Sequence, residues 1–329
     1  MGLTAKVEGN CDNNNWSQWE STQRPPHKPP TVKGGQKSGA ACDHWNRVEQ
    51  DTQLIKDLGV GSYRFSQRMY DEYGSKAALQ TAGTCVKNML KSHVTIYFAI
   101  KQAAEDAGRE VHVGIVKDLF QFHAFQWHNL FDHFLAWAMD QIFNVQIINF
   151  LRTGKFRFWV PFAACVSYMD SRAPAANDFI GLNYYSHYYV SLWNIITEPV
   201  LEAKLMALPQ EIMTDMPQCV YPEGLYSALK TMATLGKPII VTENGIADKH
   251  DDRRYLYIRR YLYALSRAIQ DGVDVIGYYY WSLYDNFEWC EGYHMKFGLY
   301  AVNFDTQERS LRPAAAAFTN VHKAAAAYY

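Results

Sequence analysis

No run of apolar residues in this chain is long enough for a membrane span, and its charge has no sign to speak of. The 32 basic and 33 acidic residues leave a formal charge of −1. A basic footprint for nucleic acid or an anionic membrane surface is therefore missing. The six cysteines, Cys11, Cys42, Cys85, Cys165, Cys219 and Cys290, show no CxxC or other metal-ligand spacing. In a chain of this length they read as reduced thiols rather than a disulfide framework, and no metal or cofactor is expected. His128 and His133 do not form a clean i, i+4 pair and lack a carboxylate placed as a zinc-site base, so metal binding there is not expected. The N-terminus carries no signal-peptide apolar region, which makes the cytoplasm the default location.

What is present is an alternation of strand and helix signals over 329 residues, 48% of them hydrophobic, enough for one large α/β domain spanning 1–329. Six strands are expected near residues 2–8, 60–66, 111–117, 177–185, 238–243 and 273–281. Between them, Met89, His93, Ile96, Ile100 and Ala103 repeat at helical spacing, as do Ile258, Leu262, Leu265 and Ile269. His93 on the first stripe reads as a satisfied core histidine rather than a ligand.

Three strand ends carry chemistry. Pro238-Ile-Ile-Val-Thr-Glu-Asn-Gly245 is a β-branched run that stops on a carboxylate and an Asn-Gly turn. In a (β/α)8 barrel the active site is built from such C-terminal strand ends, so Glu243 is a natural catalytic group. Taken alone, the octapeptide is also compatible with a solvated Glu before an ordinary turn. The second end, Gly277 to Trp289, mixes two Trp with Asp285, Asn286 and Glu288. Indole faces stack on the C–H faces of a sugar while carboxylates and amides hold its hydroxyls. The third, Asp178-Phe-Ile-Gly-Leu-Asn-Tyr-Tyr185, ends on an amide and a phenol. Packing alone does not account for three such ends.

With these and with Val7-Glu-Gly9, Ala41 to Arg47, Leu58 to Ser66, Val113-Gly-Ile115, Asp271 to Asp274 and Phe297-Gly-Leu299, the chain resembles the family-one glycoside hydrolases, the retaining β-glycosidases, from end to end. The resemblance implies a TIM barrel and a double displacement in which Glu243 is the nucleophile. It implies that Arg64 favours the ionised carboxylate through its fixed positive charge, that Tyr185 hydrogen-bonds it, and that Asn183 supports that corner. Trp281, Glu288 and Trp289 match residues that stack on and hydrogen-bond the nonreducing sugar, and Phe297 one that closes the pocket near its 6-position. Family members that take 6-phosphorylated sugars replace the acidic residue matched by Glu288 with a small one, so an unphosphorylated sugar is expected. The partner is then a small carbohydrate. Lys6 stands where the family has a Gln that reads two sugar hydroxyls, and lysine donates but cannot accept.

The same resemblance exposes a deficit. The family's general acid/base lies in an Asn-Glu-Pro motif, and this chain has none. Thr197-Glu198-Pro199 is an echo two strands too late, and Glu72 has no strand leading to it. Between Ser66 and a helix expected from Asn88 lie only Gln67 to Lys87, about 20 residues where two strand–helix units of roughly 30 residues each belong. The expectation is an incomplete barrel, with residues of a longer chain omitted rather than two strands rejoined, and a break in the connection there. The alternative function is a catalytically silent relative that binds carbohydrate. The aromatic and His-rich segment from Phe120 to Met169 is expected to be a long loop plus helix over the barrel mouth, lining an aglycone subsite.

Overall fold

The computed structural model describes residues 76–192 and 207–326, together with residues 20, 21 and 30–39 and scattered positions between 41 and 57. Helix α1 (Lys76–Asp106) opens the continuous part. It begins well before Asn88, which corrects the expected start and confines any missing units to the stretch from Ser66 to Lys76. Residues 67–75, Glu72 and the echo at Thr197-Glu198-Pro199 lie outside the described residues, as do the strands expected near 2–8 and 60–66, with Lys6 and Arg64.

The inward face of α1 is also not the one expected. Leu90, Val94 and Tyr97 are buried, whereas Met89 and Ile96 are more than half exposed. Two apolar stripes about one residue apart run along this helix, and the buried one ends on Lys101, whose ammonium donates to the Val111 carbonyl and the Asp178 carboxylate. A cation on the packed face disguised that stripe in a purely apolar count. His93 is satisfied as expected, though half-buried: its Nε2 lies 2.8 Å from the Ala176 carbonyl and 3.0 Å from Asn177 Oδ1. Burial lowers its pKa.

Strand β1 (Gly114–Asp118) follows, then the short β2 (Gln121–Ala124), helix α2 (Leu130–Asp140), one π-helical turn at Gln141–Val145, and α3 (Gln146–Thr153). An antiparallel hairpin, β3 (Lys155–Val160) and β4 (Ala164–Met169), completes this excursion. The region is thus more ordered than a loop plus helix. Strand β5 (Phe179–Asn183) returns beside β1, and β6 (His187–Val190) pairs in parallel with β2. Helix α4 (Pro222–Ala233), β7 (Ile239–Asn244), α5 (Arg254–Gln270) and β8 (Val275–Tyr280) come next. The antiparallel β9 (Tyr300–Val302) and β10 (Arg309–Leu311) and helix α6 (Ala316–Ala326) end the described chain.

The central sheet is β1-β5-β7-β8, parallel throughout and in chain order. Consecutive parallel neighbours joined by crossovers that contain helices are the repeating unit of a barrel wall. The expected strands near 111–117, 177–185, 238–243 and 273–281 correspond to these four. Ile180, Leu182, Ile239 and Val241 are buried completely or nearly so, as strands covered on both faces must be. On α5, Ile258 and Leu265 face inward as expected, joined by Tyr257, Tyr261, Ala264 and Ala268, while Ile269 is half exposed. Among the described residues no helix is long and apolar enough to cross a membrane.

Candidate active site

Strand β7 runs Ile-Ile-Val-Thr-Glu-Asn, and its pairing with β5 sets Glu243 opposite Asn183 at the carboxyl ends of both. Glu243 is 3% exposed. The Tyr185 hydroxyl, itself buried, donates to Glu243 Oε2 at 2.8 Å. A hydrogen bond made in a dry setting fixes the orientation of the carboxylate. Beside it, the Thr242 hydroxyl donates to Asn183 Oδ1 at 2.7 Å, which pins that amide across the two strands. The Phe297 ring meets the Tyr185 ring edge-on, 6.3 Å between centroids.

Asn244 carries no role in the sequence reading, yet it ties three elements together. Its Nδ2 donates to the Tyr184 carbonyl and the Tyr257 hydroxyl, and its Oδ1 accepts from the Tyr278 hydroxyl. Burial pushes the Tyr278 phenol well above its ordinary value, which keeps it a donor. Gly245 follows because nothing larger fits: a Cβ there would lie 1.7 Å from the Trp281 carbonyl oxygen. That contact brings the β8 exit, where the Trp281–Ser282 peptide is cis, onto the β7 exit, and the Trp281 amide donates to the Asn244 carbonyl.

Arg254 was also missed. It is fully buried in the first turn of α5, where a cation opposes the helix dipole, and only its partners account for it. The guanidinium donates to the carbonyls of Ile246, Asp248, Lys296 and Phe297 and to the Asp251 carboxylate. Burial works against its charge, but the Tyr280 phenol and the Asp251 carboxylate more than offset this and hold its pKa above the ordinary value. It thereby clamps the loop after Gly245 to the loop bearing Phe297. No sequence pattern signals that role.

Of the residues after β8, Trp281 packs in the main core with Tyr185 and Phe297. Glu288 is buried. Trp289 lies in a second small core with Val32, Ala41 and Phe287. Asp285 and Asn286, read from sequence as groups for sugar hydroxyls, are committed elsewhere. Arg312 forks onto the Asp285 carboxylate at 3.0 and 2.9 Å, and the Gly298 amide donates to the same group. The Asn286 amide donates to the Ser282 hydroxyl. Both are structural polar groups of the loop. The aromatics expected at an aglycone subsite diverge: Trp127, Phe131, Phe134 and Trp137 are all more than half exposed, whereas His123 turns onto His187 and Tyr221.

A buried carboxylate held by a phenol where parallel strands end, with aromatic residues arriving from the next strand, defines the site of a barrel glycosidase. The chain belongs to Glycosyl hydrolase family 1, whose sequence profile matches residues 4–139 and 169–326. It is a glycoside hydrolase of the retaining β-glycosidase family, with the (β/α)8 barrel fold. It is 26% identical to Beta-glucosidase A of Acetivibrio thermocellus over an alignment of 418 positions that covers 93% of this chain and 92% of the relative. Against the beta-galactosidase of Sulfolobus acidocaldarius identity rises to 38%, over 44% of this chain and 31% of that one. Among solved structures, the Thermotoga maritima beta-glucosidase in complex with castanospermine superposes with a TM-score of 0.75 at 22% identity, covering 98% of this chain and 97% of that one. An alignment of 418 positions on 329 residues means that the Acetivibrio relative has residues without a counterpart here.

Proposed function

We propose that the site hydrolyses β-linked, unphosphorylated sugars of the glucoside or galactoside type through a covalent glycosyl-enzyme on Glu243. The observation that carries this reading is the 2.8 Å bond from Tyr185 to the buried Glu243 carboxylate at the end of β7. In this mechanism Glu243 attacks the anomeric carbon, the glycosidic C–O bond breaks, and the leaving oxygen takes a proton from a second carboxyl about 5–5.5 Å away. Water then releases the sugar from Glu243. Arg64 is assigned the role of favouring the ionised nucleophile, and Asn183 that of holding the corner beside it. Trp281, Glu288 and Trp289 form the sugar-binding wall, with Phe297 at the 6-position and Lys6 in place of the family's Gln. The β-glucosidase and β-galactosidase names of the relatives support the substrate class, and Glu288 disfavours a phosphate dianion.

The absence of Asn-Glu-Pro supports a second reading, a relative that binds carbohydrate without completing turnover. Leaving-group chemistry separates the two. Protonation of the departing oxygen contributes about 10²–10⁴-fold. Without the acid/base, a disaccharide is nearly inert, whereas a dinitrophenyl glycoside still glycosylates Glu243 and then stalls until azide or formate is added. Turnover of both substrates without azide identifies a complete catalytic pair within this chain. A 2-deoxy-2-fluoro glycoside with a good leaving group is expected to label Glu243, and attachment at any other residue overturns the assignment.

A further inference from the structure

Beyond the nucleophile corner, side chains from three separate stretches meet beside the β2–β6 pair. His123 comes from β2 and His187 from β6, their rings 5.0 Å apart and nearly perpendicular. Glu211 and Cys219 come from the segment before α4, where Met213 and Cys219 form an antiparallel bridge. The ligand-capable atoms of His187, Glu211 and Cys219 all lie within 4.8 Å of one another. His187 Nε2 is 3.6 Å from Glu211 Oε2.

The second observation is an unsatisfied imidazole. His187 is 2% exposed, and neither of its ring nitrogens has a hydrogen-bond partner; the buried Nε2 of His123 also lacks one. Buried polar nitrogens are normally paired, and an unmade bond is costly. The ring is nonetheless held in place: Tyr221 stacks on it at 3.9 Å and 14°. The neighbours are similarly oriented. The Tyr189 hydroxyl donates to Glu211 Oε1 at 3.4 Å, leaving Oε2 toward His187. The Ser186 hydroxyl accepts from the Cys219 amide and donates to the Cys219 carbonyl. An outer hydrogen bond that orients a carboxylate is common at metal sites, and Glu211 has one.

We propose that His187, Glu211 and Cys219 bind one borderline divalent cation of the zinc type, with His123 adjacent to it. Nitrogen and sulfur donors select against calcium and magnesium, and three protein ligands suit tetrahedral zinc with one position left for water or a fourth group. Cysteine coordinates as the thiolate, so cation binding releases the thiol proton to solvent, and affinity rises with pH. Because His187 follows Tyr185 by two residues, the cation would anchor the 207–221 segment to the strand end that carries the phenol of the catalytic corner. The fragments 121–124, 187–190 and 207–221 are far apart in sequence, which is why motif spacing gave no sign of the cluster.

The test uses the purified chain, stripped with chelator, desalted and titrated with Co²⁺ under anaerobic conditions. One equivalent is expected to bind, with a thiolate-to-cobalt charge-transfer band and the intense visible bands of tetrahedral cobalt, all removed by one equivalent of Zn²⁺. Cys219→Ser is expected to lose the charge-transfer band. His187→Gln, which keeps every cysteine, is expected to lose the tetrahedral bands. Absence of the bands in the parent chain overturns the proposal, as does their persistence in either variant.

Discussion

Replacing Tyr185 with Phe removes one hydroxyl and leaves the ring, so its edge-on contact with Phe297 survives. The loss is the 2.8 Å donor to Glu243 Oε2. Hydrogen bonds to charged groups are worth about 1.5–3 kcal/mol, and this one lies between residues 3% and 7% exposed, where water cannot replace it. If the phenol acts on the nucleophile in the transition state, that range corresponds to a fall of about 10- to 150-fold in the glycosylation rate. The assay is the pre-steady-state burst with a dinitrophenyl glycoside, because glycosylation with such a leaving group needs no proton donor and is readable whether or not the acid/base is present. Thermal unfolding of the same sample separates a misplaced nucleophile from a damaged fold. A burst rate within twofold of the parent, in a variant that still labels at Glu243, would refute the role given to Tyr185.

Asp285→Asn leaves the buried Arg312 without its carboxylate, so urea unfolding is expected to show a loss of about 3–5 kcal/mol; an unchanged midpoint would mean that the pair contributes nothing. Arg254→Met removes the donors that hold the Ile246, Asp248, Lys296 and Phe297 carbonyls, and faster native-state hydrogen exchange is expected at 246–251 and 296–298 before any change in α4. In metal-free protein, His187 titrates at about 4 when folded against 6.5 ordinarily, so between those pH values the unfolded chain binds the extra proton. Stability is then expected to fall by about 3 kcal/mol as pH drops from 6.5 to 4, and His187→Gln should flatten that slope. A parent chain with no slope in this window contradicts the buried neutral imidazole.

The sequence is most legible where local chemistry and fold agree. The β-branched run into Glu243 and the Asn-Tyr-Tyr end of β5 pointed to the corner where Glu243, Asn183 and Tyr185 meet, because a barrel strand is buried on both faces and its polar residues collect at its end. Leu90, Val94 and Tyr97 were missed because two apolar stripes overlap on α1 and only tertiary packing chooses between them. Asp285 was misread because nothing near it in sequence announces Arg312, 27 residues on. Arg254 and Asn244 escaped for the same reason: their partners are backbone carbonyls and phenols from other elements. Type and spacing locate a reacting group, whereas the groups that hold it are known only after folding.

The family profile stops at residue 139 and resumes at 169, so the β3–β4 hairpin lies almost wholly outside the residues it matches. It is not an appendage. Phe156, Phe158, Ala164 and Val166 are buried in the same core as Leu90, Val94 and Phe150. At Gly83 the helix comes so near that a Cβ would lie 2.6 Å from the Phe158 ring. The hairpin therefore splints the helix that starts just after the shortened stretch. Excising residues 140–168 because the profile does not match them would remove part of the hydrophobic interior and leave one face of α1 uncovered.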